Sequence, residues 1–220
     1  MLCVTVRYRH RFKNGNKMRP SPFFVSFGMG IVEDIMRCFI AIEVPSEVRS
    51  AFVELQDDLR GAGADVAWTN PDNIHLTLKF LGEIDKKLAS EVEQVCLETI
   101  ASMSPFKLSI NRIGFFPNER HPRVLWVGLG GQVETLEKLQ EQLDERLAGI
   151  GFEVEEKVFQ PHLTVGRIRS NKNLREMLKR SDGYSLPTLS FMVEEIVLMK
   201  SDLLSSGACY SELAKARMKG

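Results

Sequence analysis

The chain has 220 residues, 44% hydrophobic and 26% charged, which is enough apolar material for a sizeable core in one large domain or two tightly coupled lobes. Lys plus Arg and Asp plus Glu balance at 29 each, so no global field recruits a polyanion, and any nucleic-acid affinity has to be local. Cys3, Cys38, Cys96 and Cys209 show neither CxxC spacing nor the density of a disulfide scaffold, and no apolar run reaches the roughly 18 residues that span a bilayer; a cytoplasmic protein with reduced thiols and no membrane partner is expected.

Residues 1–35 carry Arg7, Arg9, Arg11, Lys13, Lys17 and Arg19, then Pro20 and Pro22, with no sustained periodicity. They read as a poorly ordered N-terminal extension. The apolar stretch from Phe23 to Val32 lacks the small-residue cleavage site of an export signal. The folded unit is expected over residues 36–220.

Arg37 to Val44 predicts a buried strand, followed by a helix with Val48, Phe52, Leu55 and Leu59 on one face, Ser46 as N-cap, and Gly61 and Gly63 at its end. Asn73 to Gly82 is strand-like, and Asp85 caps a helix with Leu88, Val92, Val95 and Thr99 on one face. Strands near Phe106 to Phe116 and Arg123 to Leu129 precede a third helix with Val133, Leu136, Leu139, Leu143 and Leu147 buried, stopped by Gly149 and Gly151. His162 to Ile168 is a strand, Asn171 to Arg180 a short polar helix, Thr188 to Lys200 one long strand, and Ala208 to Ala214 a last one. The class is α+β. Each half holds one His-x-Thr strand, the mark of an internal duplication.

Those two copies are His75-Leu76-Thr77-Leu78 and His162-Leu163-Thr164-Val165. Thr occupies only seven of 220 positions, so two of four histidines followed by Thr at the same offset are not a coincidence. On a strand, His75 and Thr77 share one face while Leu76 and Leu78 point into the core. If the halves pack about a pseudo-twofold axis, two imidazoles and two hydroxyls surround one point, which suits a tetrahedral phosphate.

Opening a cyclic phosphodiester needs one group to take a proton from water and another to protonate the departing oxygen. Two imidazoles near their ordinary pKa of about 6.5 supply both near neutrality. The threonine hydroxyls can donate to the non-bridging oxygens. Taken alone, either His-x-Thr is a satisfied strand histidine; as a pair they point to a site. One good metal ligand per copy, with no HExxH, CxxC or Asp-rich run, argues against metal and cofactor chemistry.

The paired motifs, the opening Arg37-Cys38-Phe39-Ile40-Ala41-Ile42 and the segment from Asn73 to Gly82 resemble the bacterial and archaeal RNA 2′,3′-cyclic phosphodiesterases, also called 2′-5′ RNA ligases, of the two-histidine phosphoesterases. The resemblance runs from Met36 to the C-terminus and includes Arg123-Val124-Leu125-Trp126-Val127-Gly128. It implies a bilobal fold: a pseudo-twofold pair of antiparallel sheets flanked by helices around a basic central cleft. It also implies that His75 donates the proton to the leaving 3′ oxygen and that His162 activates water, leaving a 2′-phosphomonoester on an RNA end or oligonucleotide.

Arg167 matches a phosphate-contacting position of that family. A period-two count puts it on the face opposite His162, so a bulge or bend near Gly166 is needed to aim it inward; otherwise it is a solvated strand end. Arg123 adds positive potential or is solvated, and Phe39 either stacks on a base or fills the core. Trp68 and Trp126 are expected in the core, and His10 and His121, with no partner Thr, carry no assigned function. Reverse-direction ligation, a non-catalytic RNA-binding module and a phosphodiesterase for small cyclic nucleotides stay open, and the absence of a heptad seam leaves a monomer as the expectation.

Overall fold

A computed structural model describes residues 35–205 and 207–219. The expectations for residues 1–34, including the extension and His10, lie outside the described residues.

Two βαβαβ repeats build the fold. The first comprises β1 (Met36–Glu43), α1 (Ser46–Arg60), β3 (His75–Ile84), α2 (Lys86–Ile100) and β4 (Phe106–Phe116). The second comprises β5 (Val124–Gly131), α3 (Val133–Ala148), β6 (His162–Ile168), α4 (Leu174–Gly183) and β8 (Glu195–Leu204). Short strands β2 (Val66–Trp68) and β7 (Ser190–Val193), and the C-terminal β9 (Gly207–Arg217), complete it.

Among the described residues all strand pairings are antiparallel, in the order β7-β4-β5-β6-β3-β1-β8-β9, with β2 beside β6. The order is a palindrome of the repeats: β6 and β3 meet at the centre through Leu76 and Leu163, flanked by β5 and β1. Each repeat lends its last strand to the other half, since β4 pairs with β5 and β8 with β1. The halves are therefore interlocked, and this is the bilobal antiparallel α+β arrangement that the family resemblance implies.

The helices bury the faces their periodicity assigns. Val48, Phe52, Leu55 and Leu59 of α1, and Leu136, Leu139, Leu143 and Leu147 of α3, join Leu76, Leu78, Leu163 and Val165 in one continuous core. Burying each such side chain contributes about 1.5–3 kcal/mol. Asp85 caps α2 as expected, its carboxylate accepting from the Leu88 amide at 2.7 Å. Trp126 is 9% exposed, whereas Trp68 is half-buried with the Arg60 guanidinium 5.4 Å above its ring.

Three local expectations are corrected. Pro45, not Ser46, occupies the cap of α1; Ser46 already lies in the first turn and its hydroxyl turns to the Glu47 carboxylate. Pro71–Asn73 forms a 3-10 turn ahead of β3, so the strand starts at His75. The stretch from Thr188 to Lys200 is two strands broken at Glu194, with β7 on β4 in one half and β8 on β1 in the other.

Candidate active site

β3 and β6 enter the middle of the sheet with the same alternation: Leu76, Leu78, Leu163 and Val165 are buried in the core, while His75, Thr77, His162 and Thr164 are half-buried on the other face. These four residues border one cavity of about 460 Å3. Two repeats separated along the chain thus bring both imidazoles and both hydroxyls to a shared space.

Each ring is fixed in the same way. His75 Nδ1 lies 2.8 Å from the Asn73 carbonyl and His162 Nδ1 lies 2.7 Å from the Gln160 carbonyl. A carbonyl only accepts, so each Nδ1 carries a hydrogen and donates it, leaving Nε2 free in both residues to accept or, once protonated, to donate. The Asn73 end is anchored further, because its side-chain amide donates to the Ala208 carbonyl of β9 at 2.7 Å.

Aromatic rings complete the walls. Phe39 is 3% exposed and stacks on His75 at 4.7 Å, with Tyr210 edge-on to both Phe39 and His75 at 5.0 and 5.1 Å. In the other half Phe116 stands edge-on to His162 at 4.9 Å and stacks on Trp126 at 4.9 Å. Phe39 therefore both belongs to a packed cluster, with Ala41, Val197 and Met199, and borders the cavity. With one ring face against His75, its placement favours holding that imidazole over receiving a base.

Burial pushes both imidazoles below their ordinary range. For His75 the Asn73 carbonyl and the Glu43 carboxylate oppose that shift and favour the charged ring; Glu43 faces His75 across the β1–β3 ladder. For His162 the Gln160 carbonyl opposes it, but the Arg167 guanidinium lowers the ring further. At the Glu43 position of the second half stands Gly128, which has no charge. Each backbone carbonyl favours the charged ring equally in kind, but the charged neighbours act in opposite directions: Glu43 favours the imidazolium at His75 and Arg167 the neutral ring at His162.

The bulge that Arg167 needs is present. On β5, Leu125 pairs with Gly166 and Trp126 with Thr164, which leaves Val165 as an extra residue, so Arg167 borders the same cavity as His162. Its exposed side chain makes no ion pair among the described residues. Gln56 of α1, fully buried, holds this bulge: its amide donates to the Val165 carbonyl at 3.0 Å and to the Thr69 carbonyl at 2.7 Å. Gly166 sits where a Cβ would come within 2.7 Å of a Val66 methyl, so only glycine lets β2 lie this close.

An extra residue also occurs on β3, where Ile40 pairs with Lys79 and Ala41 with Thr77, leaving Leu78 over. Phe80, five residues after His75 as Arg167 is five after His162, consequently lies on the cleft side, 64% exposed. Sequence reasoning missed Phe80, Phe116, Tyr210 and Gln56. The matching offset was the available signal for Phe80; the other three depend on tertiary contacts. Arg123 borders an adjoining cavity of about 930 Å3 that shares Thr77, Phe80 and His162 with the first. His121 is exposed and borders neither.

The model of one family, described as LigT like Phosphoesterase, matches the chain twice, over residues 42–126 and 128–210, once per repeat and each time across one His-x-Thr strand. The chain belongs to the LigT-like phosphoesterase family. Among its relatives, a protein of Methanothermobacter thermautotrophicus named RNA 2′,3′-cyclic phosphodiesterase is 34% identical over 185 residues, covering 83% of this chain and 99% of that one. A protein of the same name from Thermotoga maritima is 32% identical, covering 84% and 97%. A crystal structure of a Thermus thermophilus protein superposes with a TM-score of 0.68 at 28% identity, covering 84% and 99%. For this LigT-like chain, the double match locates the duplication that the paired motif implies.

Proposed function

We propose that this LigT-like phosphoesterase hydrolyses RNA ends bearing a 2′,3′-cyclic phosphate to 2′-phosphomonoesters, by acid–base catalysis that needs no metal. The observation that carries this reading is the pair of imidazoles on one cavity, each with Nδ1 committed to a backbone carbonyl and Nε2 left for chemistry. The names of the relatives supply the substrate class.

In the proposed step His162 Nε2 takes a proton from water as its oxygen attacks phosphorus. The P–O3′ bond breaks on the far side, and protonated His75 delivers its Nε2 hydrogen to the departing 3′ oxygen. The bias of Glu43 toward a charged His75, and of Arg167 toward a neutral His162, fits that division of labour. Thr77 and Thr164 would donate to the non-bridging oxygens, and Arg167 would offer fixed, permanently charged donors to the same group. Arg123 would add positive potential next to it. The exposed Phe80 ring offers a face for a base. We place the catalytic unit at residues 36–220, a reading supported by β1 opening at Met36 and by the family match over 42–210.

The test is incubation with EDTA and an RNA ending in a 2′,3′-cyclic phosphate, followed by phosphorus NMR of the product. Retained turnover and a 2′-phosphate are expected, and a 3′-phosphate overturns the donor assignment. Replacement of either His75 or His162 by Ala should lower turnover by about 10²–10⁴-fold, the usual contribution of a general acid or base, with the fold retained. Near-normal turnover in a well-folded double variant eliminates the mechanism.

A further inference from the structure

The arginines of the folded chain divide by their partners. Arg49, Arg60, Arg146, Arg180 and Arg217 lie within ion-pair distance of carboxylates. Arg37, Arg112, Arg120, Arg123 and Arg167 have no such partner among the described residues, and each borders the catalytic cavity, the adjoining cavity or a third one. Arg169 and Arg175 are also unpaired among the described residues and border none of the three. In a chain of zero formal charge, this leaves uncompensated positive charge concentrated around the cleft.

The third cavity, about 570 Å3, is walled by Arg112, Gly114, Asn118, Glu119, Arg120 and Trp126, among others. It shares a wall with the catalytic half-site, since the Trp126 ring lies 6.3 Å from that of His162. The same ring carries the Arg112 guanidinium 5.5 Å from its centroid, which orients that group without neutralising it. The Asn118 carboxamide accepts from the Arg120 and His121 amides at 3.0 and 3.1 Å, fixing the turn from which Arg120 projects. Among the described residues Glu119 is the one carboxylate bordering this space, and it forms no ion pair with either arginine.

Two guanidiniums bordering one open space, with a single carboxylate on its wall, form a site for an anion with several acceptor oxygens. We propose that Arg112 and Arg120 bind an internal backbone phosphate of the RNA strand whose cyclic end lies between His75 and His162, making the enzyme favour oligonucleotides over cyclic mononucleotides. This rests on the hydrolytic reading above for the identity of the strand, and it adds a second phosphate site beside the reacting one. A phosphate bound there adds affinity through counterion release, a component absent from a substrate with no internal phosphate.

The experiment compares the full chain with its Arg112→Ala/Arg120→Ala variant, whose altered side chains are exposed, on two substrates. These are adenosine 2′,3′-cyclic phosphate and a six-nucleotide RNA ending in a cyclic phosphate. For the RNA, KM is expected to rise about tenfold at low salt, and the slope of log(kcat/KM) against log[salt] to become shallower by about 0.7 per lost contact. For the mononucleotide, kcat/KM should stay within about twofold. An Arg112→Lys/Arg120→Lys variant should keep most of the salt slope.

Equal losses on both substrates, or an unchanged KM and slope for the RNA, overturn the proposal. Anisotropy of a labelled six-nucleotide RNA with a plain 3′-phosphate gives an arm independent of turnover, with about tenfold weaker binding by the double-alanine variant expected. If the unaltered chain turns over neither substrate, the hydrolytic reading fails, and the anisotropy comparison still decides the phosphate site; equal binding by both proteins overturns it.

Discussion

Replacing Lys79 by Met should be among the most costly single changes available to this chain. Lys79, on β3 just past the extra residue Leu78, is 5% exposed, and Asp144 of α3 is 6% exposed. The Lys79 ammonium donates to an Asp144 carboxylate oxygen and to the Glu153 carbonyl, the latter at 2.6 Å; the other Asp144 oxygen accepts from the Glu155 amide at 2.8 Å. The pair thereby ties the strand that carries His75 to the segment that leads into Gln160 and His162. Lys79→Met leaves a carboxylate buried without its counter-charge, which costs about 3–5 kcal/mol when one partner of such a pair is lost. For a domain of this size that is a fall in Tm of roughly 6–20 °C, from about 2–4 °C per kcal/mol. Lys79→Met/Asp144→Leu removes both charges and should recover at least about 2 kcal/mol of the loss, although the Glu153 carbonyl and Glu155 amide stay unpaired. Urea unfolding of the three proteins at pH 7 gives the comparison. A single variant within about 1 kcal/mol of the unaltered chain, or a double variant no more stable than the single, would refute the reasoning that the charges are desolvated and mutually dependent.

Other outcomes follow from the same geometry. Because burial holds both His75 and His162 below the ordinary value, the unfolded chain takes up protons that the folded rings refuse, so stability should fall as pH drops below about 6.5. Unfolding at pH 5 and pH 7 of the unaltered chain and of a His75→Ala/His162→Ala variant checks this, with a smaller pH effect expected in the variant. The rate should share the displacement: its acid limb, set by the neutral base His162, should lie below pH 6.5, measurable from kcat/KM against pH. Gln56→Leu removes the donor that holds the Val165 carbonyl and should cost about 1–3 kcal/mol in urea unfolding, with a raised KM as the strand carrying Arg167 loses its support. Phe80→Ala, at a 64% exposed position, should change stability by less than about 0.5 kcal/mol while weakening RNA binding by about 1–3 kcal/mol, the worth of one base stacked on an aromatic ring; unchanged RNA affinity by anisotropy rules that face out as a stacking surface.

Short-range pattern was enough for much of this molecule. Alternation along His75 to Leu78 and His162 to Val165 assigned the histidines and threonines to one face and the aliphatic residues to the other, and the burial of those residues agrees. Helical periodicity likewise named the buried faces of α1 and α3, because a 3.6-residue repeat is a local property that any core on one side will use. The paired motif also pointed to the duplication, and the family resemblance that it carries implied the two-halved arrangement. The need for a bulge or bend ahead of Arg167 was legible too, since a strict period of two could not aim that side chain toward His162, and the β5–β6 register shows it to be a bulge.

What only the tertiary structure decided is how the pieces are shared. Thr188 to Lys200 looks like one strand because each side of Glu194 is apolar and extended, yet β7 completes one half and β8 the other. The choice of neighbouring edge depends on long-range pairing, which local propensity does not encode. The same holds for the rings around the histidines: Phe39, Tyr210, Phe116 and Trp126 are scattered along the chain and meet His75 or His162 only once β1, β4, β5 and β9 are in register. Sequence by itself determined which side chains carry the proposed chemistry, because residue type and strand period set what a group can do and which way it points. The register of strands distant in sequence determined the burial, charge and packing around those groups, and these are what make two equivalent imidazoles unequal.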